Sequence, residues 1–300
     1  MGYMDLQRVV AVDWSGDKGP GQRKKIWAGV WTEGASGSGG RFALEGGRTR
    51  EELGAWLVGM AEETPRMVVG VDFCFSYPAW FLEEQGAKTA PEFWKMVVER
   101  GEHWLSKECE DVRFWGRAGI SRTGKKPPEF CGDSGHRMFR RADEACKVRS
   151  KILDPEQALK VKGIAPKSPF QIGGAGAVGT GTLRGIPLLP RLAEAGFSVW
   201  PFSRAHMPMV LEIYPRLLTG PVNKSNYEAR KAYLADRCST DHAFEMLDED
   251  VVAKALGSED AFDALVSVIA MVAKQDSFRG LEQATDPNTL LEGAVWGADG

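Results

Sequence analysis

The chain has no run of about 18 apolar residues, so no transmembrane helix is expected. Its first eight residues, MGYMDLQR, lack a basic start followed by a hydrophobic stretch, which argues against a secretory signal. Gly2 follows Met1, but Leu6 stands where a myristoylation signal needs Ser or Thr. No CxxC pair occurs, and the five cysteines (Cys74, Cys109, Cys131, Cys146, Cys238) are odd in number. Free thiols in a reducing compartment follow, and with them a cytoplasmic location. Cys109, Cys131, His136 and Cys146 match no common zinc spacing, so free thiols and a surface histidine are the simpler expectation. A strong charge of either sign is also missing. The formal net charge is -3, which forces neither a nucleic-acid nor a membrane partner. No repeat of fixed period is evident, and nothing speaks to oligomeric state.

What is present reads as one α/β domain spanning 1–300. QRVVAVDW (7–14), KKIWAGVWTE (24–33) and RFALEGG (41–47) are short β-branched or alternating runs separated by turn-rich segments, which predicts an antiparallel meander. Thr49, with Glu52 three residues on, forms a capping box ahead of Leu53, Trp56, Leu57 and Met60 at helical spacing. RMVVGVDFCF (66–75) is almost continuously apolar, as a strand buried on both faces should be. A strand, a helix and a buried strand imply a right-handed crossover, so the first and fourth strands should lie side by side and run the same way. Residues 79–170 form a helical region, with a helix over 91–105. Within it, 117–151 carries ten bases against four acids and reads as an inserted basic segment. Beyond it come a glycine-rich stretch (173–182) opening a helix continued by 187–195, strands at FSVWPF and MVLEIYP, a helix at NYEARKAYLADRC and one long helix over 250–273. From 236 to 300 there are fourteen acids against four bases, so charge is segregated along the chain.

The chemical signal is a set of acids where acids are costly. Asp13 ends VVAVD and Asp72 ends VVGVD, and buried strand ends keep a carboxylate only when something pairs with it. Adjacent strands lie about 4.8 Å apart, so both carboxylates can face one cation. Asp260 and Asp263 are three apart, hence on one face of a helix that continues as AFDALVSVIAMVA. Convergent carboxylates repel unless a cation neutralises them, and hard oxygen ligands select Mg²⁺ or Mn²⁺. Such a site suits phosphodiester hydrolysis with an activated water as nucleophile and no histidine base. Any one of these acids alone is also explained as a turn residue or a helix-end charge.

VAVDWSG, VVGVDFCFSYP, QIGGAGAVGTGTLRGIPLLPRL with VWPF, LEIYP and EDAFDALVSVIAMVA, in that order, resemble the domain-of-unknown-function 429 family, described as predicted nucleases of the ribonuclease H-like superfamily. The resemblance spans residues 8 to 273 except the basic insert. It implies a mixed sheet of three antiparallel strands followed by parallel ones, with helices on both sides. It implies acids on the first strand, the fourth strand and the last helix, which fall on Asp13, Asp72 and Asp263, with Asp260 beside them. Glu212 of LEIYP matches a motif acid and joins the expected metal ligands.

Smaller expectations complete the picture. Ser15 follows Asp13 on a tight turn where a backbone amide can meet a phosphate. Lys125, Lys126, Arg137, Arg140 and Arg141 of the insert are candidate contacts to a nucleic-acid backbone, RNA, DNA or junction. The 173–182 glycines match no phosphate-loop fingerprint, so close helix packing is their expected role, with Lys167 and Gln171 near the cleft. Trp14, Trp80, Trp94, Trp104 and Trp115 suit either base stacking or the core. The leading expectation is a metal-dependent nuclease. The rivals are a non-catalytic nucleic-acid or partner-binding module on the same fold, and an actin-like or sugar-kinase-type phosphotransferase. The last uses two copies of the fold, which a chain without a repeat does not offer.

Overall fold

The apolar runs that carry Asp13 and Asp72 become neighbouring strands at the middle of a six-stranded mixed sheet. In a computed structural model that describes residues 6–34, 40–116, 127–130, 137–153, 166–174 and 176–298, the strands are β1 (Arg8–Asp13), β2 (Trp27–Thr32), β3 (Arg41–Glu45), β4 (Met67–Val71), β5 (Ser198–Val199) and β6 (Met209–Glu212). Their order is β3-β2-β1-β4-β6-β5. The β1–β2 and β2–β3 pairs are antiparallel, while β1–β4, β4–β6 and β6–β5 are parallel. The meander and the parallel β1–β4 pair thus match expectation. The strand beside β4 is β6, with the two-residue β5 at the edge.

Successive residues of a strand point to opposite faces, and here both faces are covered. Val10, Val12, Val69 and Val71 pack on one side with Leu53 and Leu57 of α1 (Arg50–Glu63) and Phe93 and Val97 of α2 (Ala90–Leu105). Val9, Ala11, Val68 and Leu211 pack on the other, where the last long helices lie. Burying each large aliphatic side chain in these layers contributes about 1.5–3 kcal/mol. The capping box of α1 is present in full, with Thr49 and Glu52 exchanging bonds.

Several elements are shorter than the apolar pattern suggests. β4 stops at Val71, and Phe75 sends its N–H to Glu212 instead of to a ladder. FSVWPF yields only Ser198–Val199, because Pro201 has no N–H to extend pairing. The glycine-rich segment opens α4 (Val178–Gly185), which follows α3 (Arg141–Leu153) in the described chain; a separate helix spans Leu188–Glu194. After α5 (Tyr227–Thr240), the expected single helix over 250–273 is two, α6 (Glu249–Gly257) and α7 (Glu259–Ala273). Ser258 separates them, and its hydroxyl accepts the N–H groups of Asp260 and Ala261 as an N-cap. No helix among the described residues is long and apolar enough to cross a membrane.

Of the glycines in 173–182, Gly179 is the expected spacer, while Gly174 and Gly176 serve turns at positive φ and Gly181 receives Gly16. A Cβ on Gly179 would lie 2.2 Å from the Pro169 carbonyl oxygen, and one on Gly16 would lie 2.6 Å from the Gly181 nitrogen. The tryptophans belong mainly to packing. Trp14, Trp94 and Trp104 are buried, and Trp80 and Trp115 pack against the same core.

Candidate active site

The register of β1 against β4 pairs Val12 with Val71, and the Asp72 N–H donates to the Val12 carbonyl at 3.1 Å. Asp13 and Asp72 therefore sit together at the carboxyl ends of adjacent parallel strands, where open α/β sheets hold their ligands. The third acid arrives by close packing. A Cβ on Gly29 of β2 would lie 2.3 Å from the Ala264 carbonyl oxygen, so only glycine lets α7 lie directly on the sheet. That contact brings Asp263, one turn into α7, to the end of β1. Asp260, at the first turn, stands at the rim and is half-buried.

Asp13 and Asp263 are 7% and 2% exposed, values at which an unpaired carboxylate is not tolerated. Their cation is Lys224, on the loop between the short helix Pro215–Thr219 and α5. Its ammonium donates to Asp263 Oδ2. Asp263 Oδ1 is buried and has no hydrogen-bond partner. One ammonium does not neutralise the group. Burial, with Asp263, Asp72 and Asp260 adding repulsion, holds the Asp13 carboxyl well above its usual range against the pull of Lys224. Burial and the charges of Asp263 and Glu212 push Asp72 up to about 7 despite Lys224. Burial raises Asp263 and Asp260 as well. Burial also disfavours the Lys224 charge, but Asp13, Asp263 and Asp72 outweigh it and hold the ammonium above its ordinary range.

A second ionic node lies next door, and it corrects two expectations. Arg140 is fully buried, so it has no surface to offer a phosphate. Its guanidinium donates to Asp143 Oδ1 and Oδ2 at 2.7 and 3.2 Å, to Glu212 Oε1 and Oε2 at 2.6 and 2.8 Å, and to the Glu292 carbonyl at 3.2 Å. Both oxygens of Glu212 are thereby engaged, and Oε2 also accepts the Phe75 N–H at 2.9 Å. Glu212 anchors the loop that follows Asp72; it does not stand in the aspartate cluster as a ligand. Cys74, Asp143 and Glu212 are close enough to share a metal ion. The guanidinium already occupies all four carboxylate oxygens of that trio, and burial keeps the Cys74 thiol well above its ordinary range, hence protonated. This node is a salt-bridge lock.

The remaining candidates are dispersed. Arg141 pairs with Asp286 at 3.5 Å on the surface, and Arg137 is exposed. Lys125 and Lys126 lie outside the described residues, as do Cys131 and His136. Cys109 and Cys146 are buried. The Ser15 hydroxyl accepts the Asp17 N–H at 3.2 Å, a turn contact. Ser15 and Gly16 open a cleft of about 650 Å³ that begins two residues beyond Asp13. Lys18, Glu102, Lys107 and Arg184 also line it. Glu102 holds both Arg184 (2.7 Å) and Lys18 (3.3 Å), and chiefly the Arg184 hydrogen bond draws its carboxyl down to about 2. Lys167 lines a separate pocket of about 100 Å³ with Asp72 and Glu212, whereas Gln171 bonds the nearby Gly173 carbonyl.

Comparison of the chain with protein-family models, with curated proteins and with solved structures gives no match.

Proposed function

We propose that the protein is a metal-dependent phosphodiester hydrolase, a nuclease, on a ribonuclease H-like sheet. The observation that carries this reading is the convergence of Asp13, Asp72 and Asp263 from three separate elements, all with raised proton affinity, at the carboxyl ends of parallel strands. Three antiparallel strands continued by parallel ones on the far side of β1 support it further.

In chemistry the donor set suits Mg²⁺ or Mn²⁺; in distance the oxygens of Asp13, Asp72 and Asp263 are not drawn within 4.8 Å of one another, as the ligand atoms of Cys74, Asp143 and Glu212 are, so an ion would have to pull them together. All the convergent ligand atoms are carboxylate oxygens, and Asp263 Oδ1 is a buried oxygen left unpartnered. Asp13, Asp72 and Asp263 would hold the ion, with Asp260 at the rim. A bound divalent ion supplies Lewis acidity, polarising a phosphoryl oxygen and making an attacking water more acidic. The chain itself orients the acids. The Asp72 and Val12 backbones are joined in the ladder, Glu212 ties down the loop after Asp72, and Ser258 fixes the start of α7. The cleft lined by Ser15, Gly16 and Lys18 offers room for substrate, and none of Asp13, Asp72, Asp260 and Asp263 lines it.

A non-catalytic binding module is favoured by one observation, that Lys224 already gives the acids a counter-charge. Calorimetric titration of Mn²⁺ into the protein and into the Asp13→Asn, Asp263→Asn double variant separates the two. Binding lost in the double variant, followed by cleavage of RNA, DNA or junction substrates that the same variant lacks, is the expected outcome. Absence of binding in the wild type, with and without oligonucleotide, refutes the nuclease reading.

A further inference from the structure

We propose that Lys224 is the resident cation of the Asp13–Asp72–Asp263 cluster, and that its ammonium and a divalent cation exclude one another there. This inference rests on the carboxylate-site reading above and adds a loading step to it.

Three observations support it. The same ammonium that contacts Asp263 is the foremost influence opposing burial at Asp13, Asp72 and Asp260. It touches Asp263 directly and acts on the other three acids through its charge at longer range. A single positive charge leaves the group under-neutralised, with the buried Asp263 Oδ1 unpartnered. A divalent ion carries twice the charge and accepts several oxygens at once.

The loop is also built to let the side chain move while its backbone stays fixed. The Lys224 N–H donates to the Val222 carbonyl at 3.0 Å, and Arg216 Nη1 donates to the same carbonyl at 2.6 Å. Buried Arg230 donates to the Lys224 carbonyl and to the Leu256 carbonyl, tying the loop to α6. The Lys224 side chain itself is 23% exposed, against 2% for Asp263. Its four-carbon stem can swing the ammonium out to water without disturbing that clamp.

The test is calorimetric titration of Mn²⁺ into the full chain and into Lys224→Met and Lys224→Arg. Met keeps the stem and removes the charge. The expected result is binding to Lys224→Met about tenfold tighter or more than to wild type, with Lys224→Arg no tighter than wild type. Wild-type binding with no gain in Lys224→Met overturns the inference and leaves the carboxylate site standing. No binding by wild type or Lys224→Met removes the site itself. A second measurement needs no variant and decides the matter if Lys224→Met does not fold. Amine labelling of Lys224, read by peptide mass spectrometry, should rise severalfold when Mn²⁺ is saturating. Unchanged or reduced labelling under conditions where Mn²⁺ binds overturns the inference.

Discussion

Asp72→Asn should stabilise the protein, and by more at high pH than at low. The folded state raises the Asp72 carboxyl from 3.8 to about 7. The native protein therefore holds a proton that the unfolded chain releases, and stability present below about pH 4 is lost as pH climbs towards 7. At about 1.4 kcal/mol per tenfold change in proton affinity, the penalty is about 1.7 kcal/mol at pH 5 and about 4 kcal/mol at pH 8. Asp72 is half-buried, so solvent screens part of this and leaves a difference of about 2 kcal/mol between the two pH values. Asn removes the titration but keeps the size of the side chain. Urea unfolding of both proteins at pH 5 and pH 8 measures the effect, and comparing the two pH values cancels any fixed packing change. If the stability gap between variant and wild type is the same at both pH values to within about 0.5 kcal/mol, the burial and repulsion argued for the cluster are wrong.

Other perturbations test the framework around the site. Arg140→Met strands two buried carboxylates and should cost about 3–5 kcal/mol at pH 7, read from the urea midpoint; a loss within experimental error would show that the node is not the lock described. Gly29→Val forces α7 off the sheet, so a loss of about 1–3 kcal/mol is expected in denaturant unfolding, together with weaker Mn²⁺ binding because Asp263 moves with the helix. Ser258→Ala removes the α7 cap and should lower stability by about 1 kcal/mol in the same assay, with metal binding retained.

The order of strands and the positions of the four aspartates were legible because each lies at the end of a run with its own period. VVAVD, VVGVD and EDAFDALVSVIAMVA announce buried elements that close or open on an acid. MVLE carries the same local signal, yet Glu212 has a different role. The pattern says that an acid at a strand end needs a partner and does not say which one. For Glu212 the partner is Arg140, 72 residues away. Within its own segment Arg140 is one base among many, and only the tertiary fold turns it inward. Lys224 lies in PVNKSN, where no periodicity marks it, and it reaches Asp263 only because the loop is clamped by Arg216 and Arg230. The Gly257–Ser258 break was readable in principle as a stop followed by a cap, but the apolar pattern runs on through it.

Glu292 ties three distant parts of the chain into one knot. Its carboxylate accepts the N–H groups of Ala79 (2.9 Å) and Arg141 (2.6 Å), and its carbonyl accepts from Arg140 (3.2 Å). Residue 292 leaves the ribosome 152 residues after Arg140. The antiparallel half of the sheet can form early in synthesis, since its strands are near neighbours in sequence. The start of α3 and the turn before Ala79 have to wait for their last acceptor. The end of the molecule that gathers the acids thus cannot close until residue 292 has been made, long after the strands that carry Asp13 and Asp72.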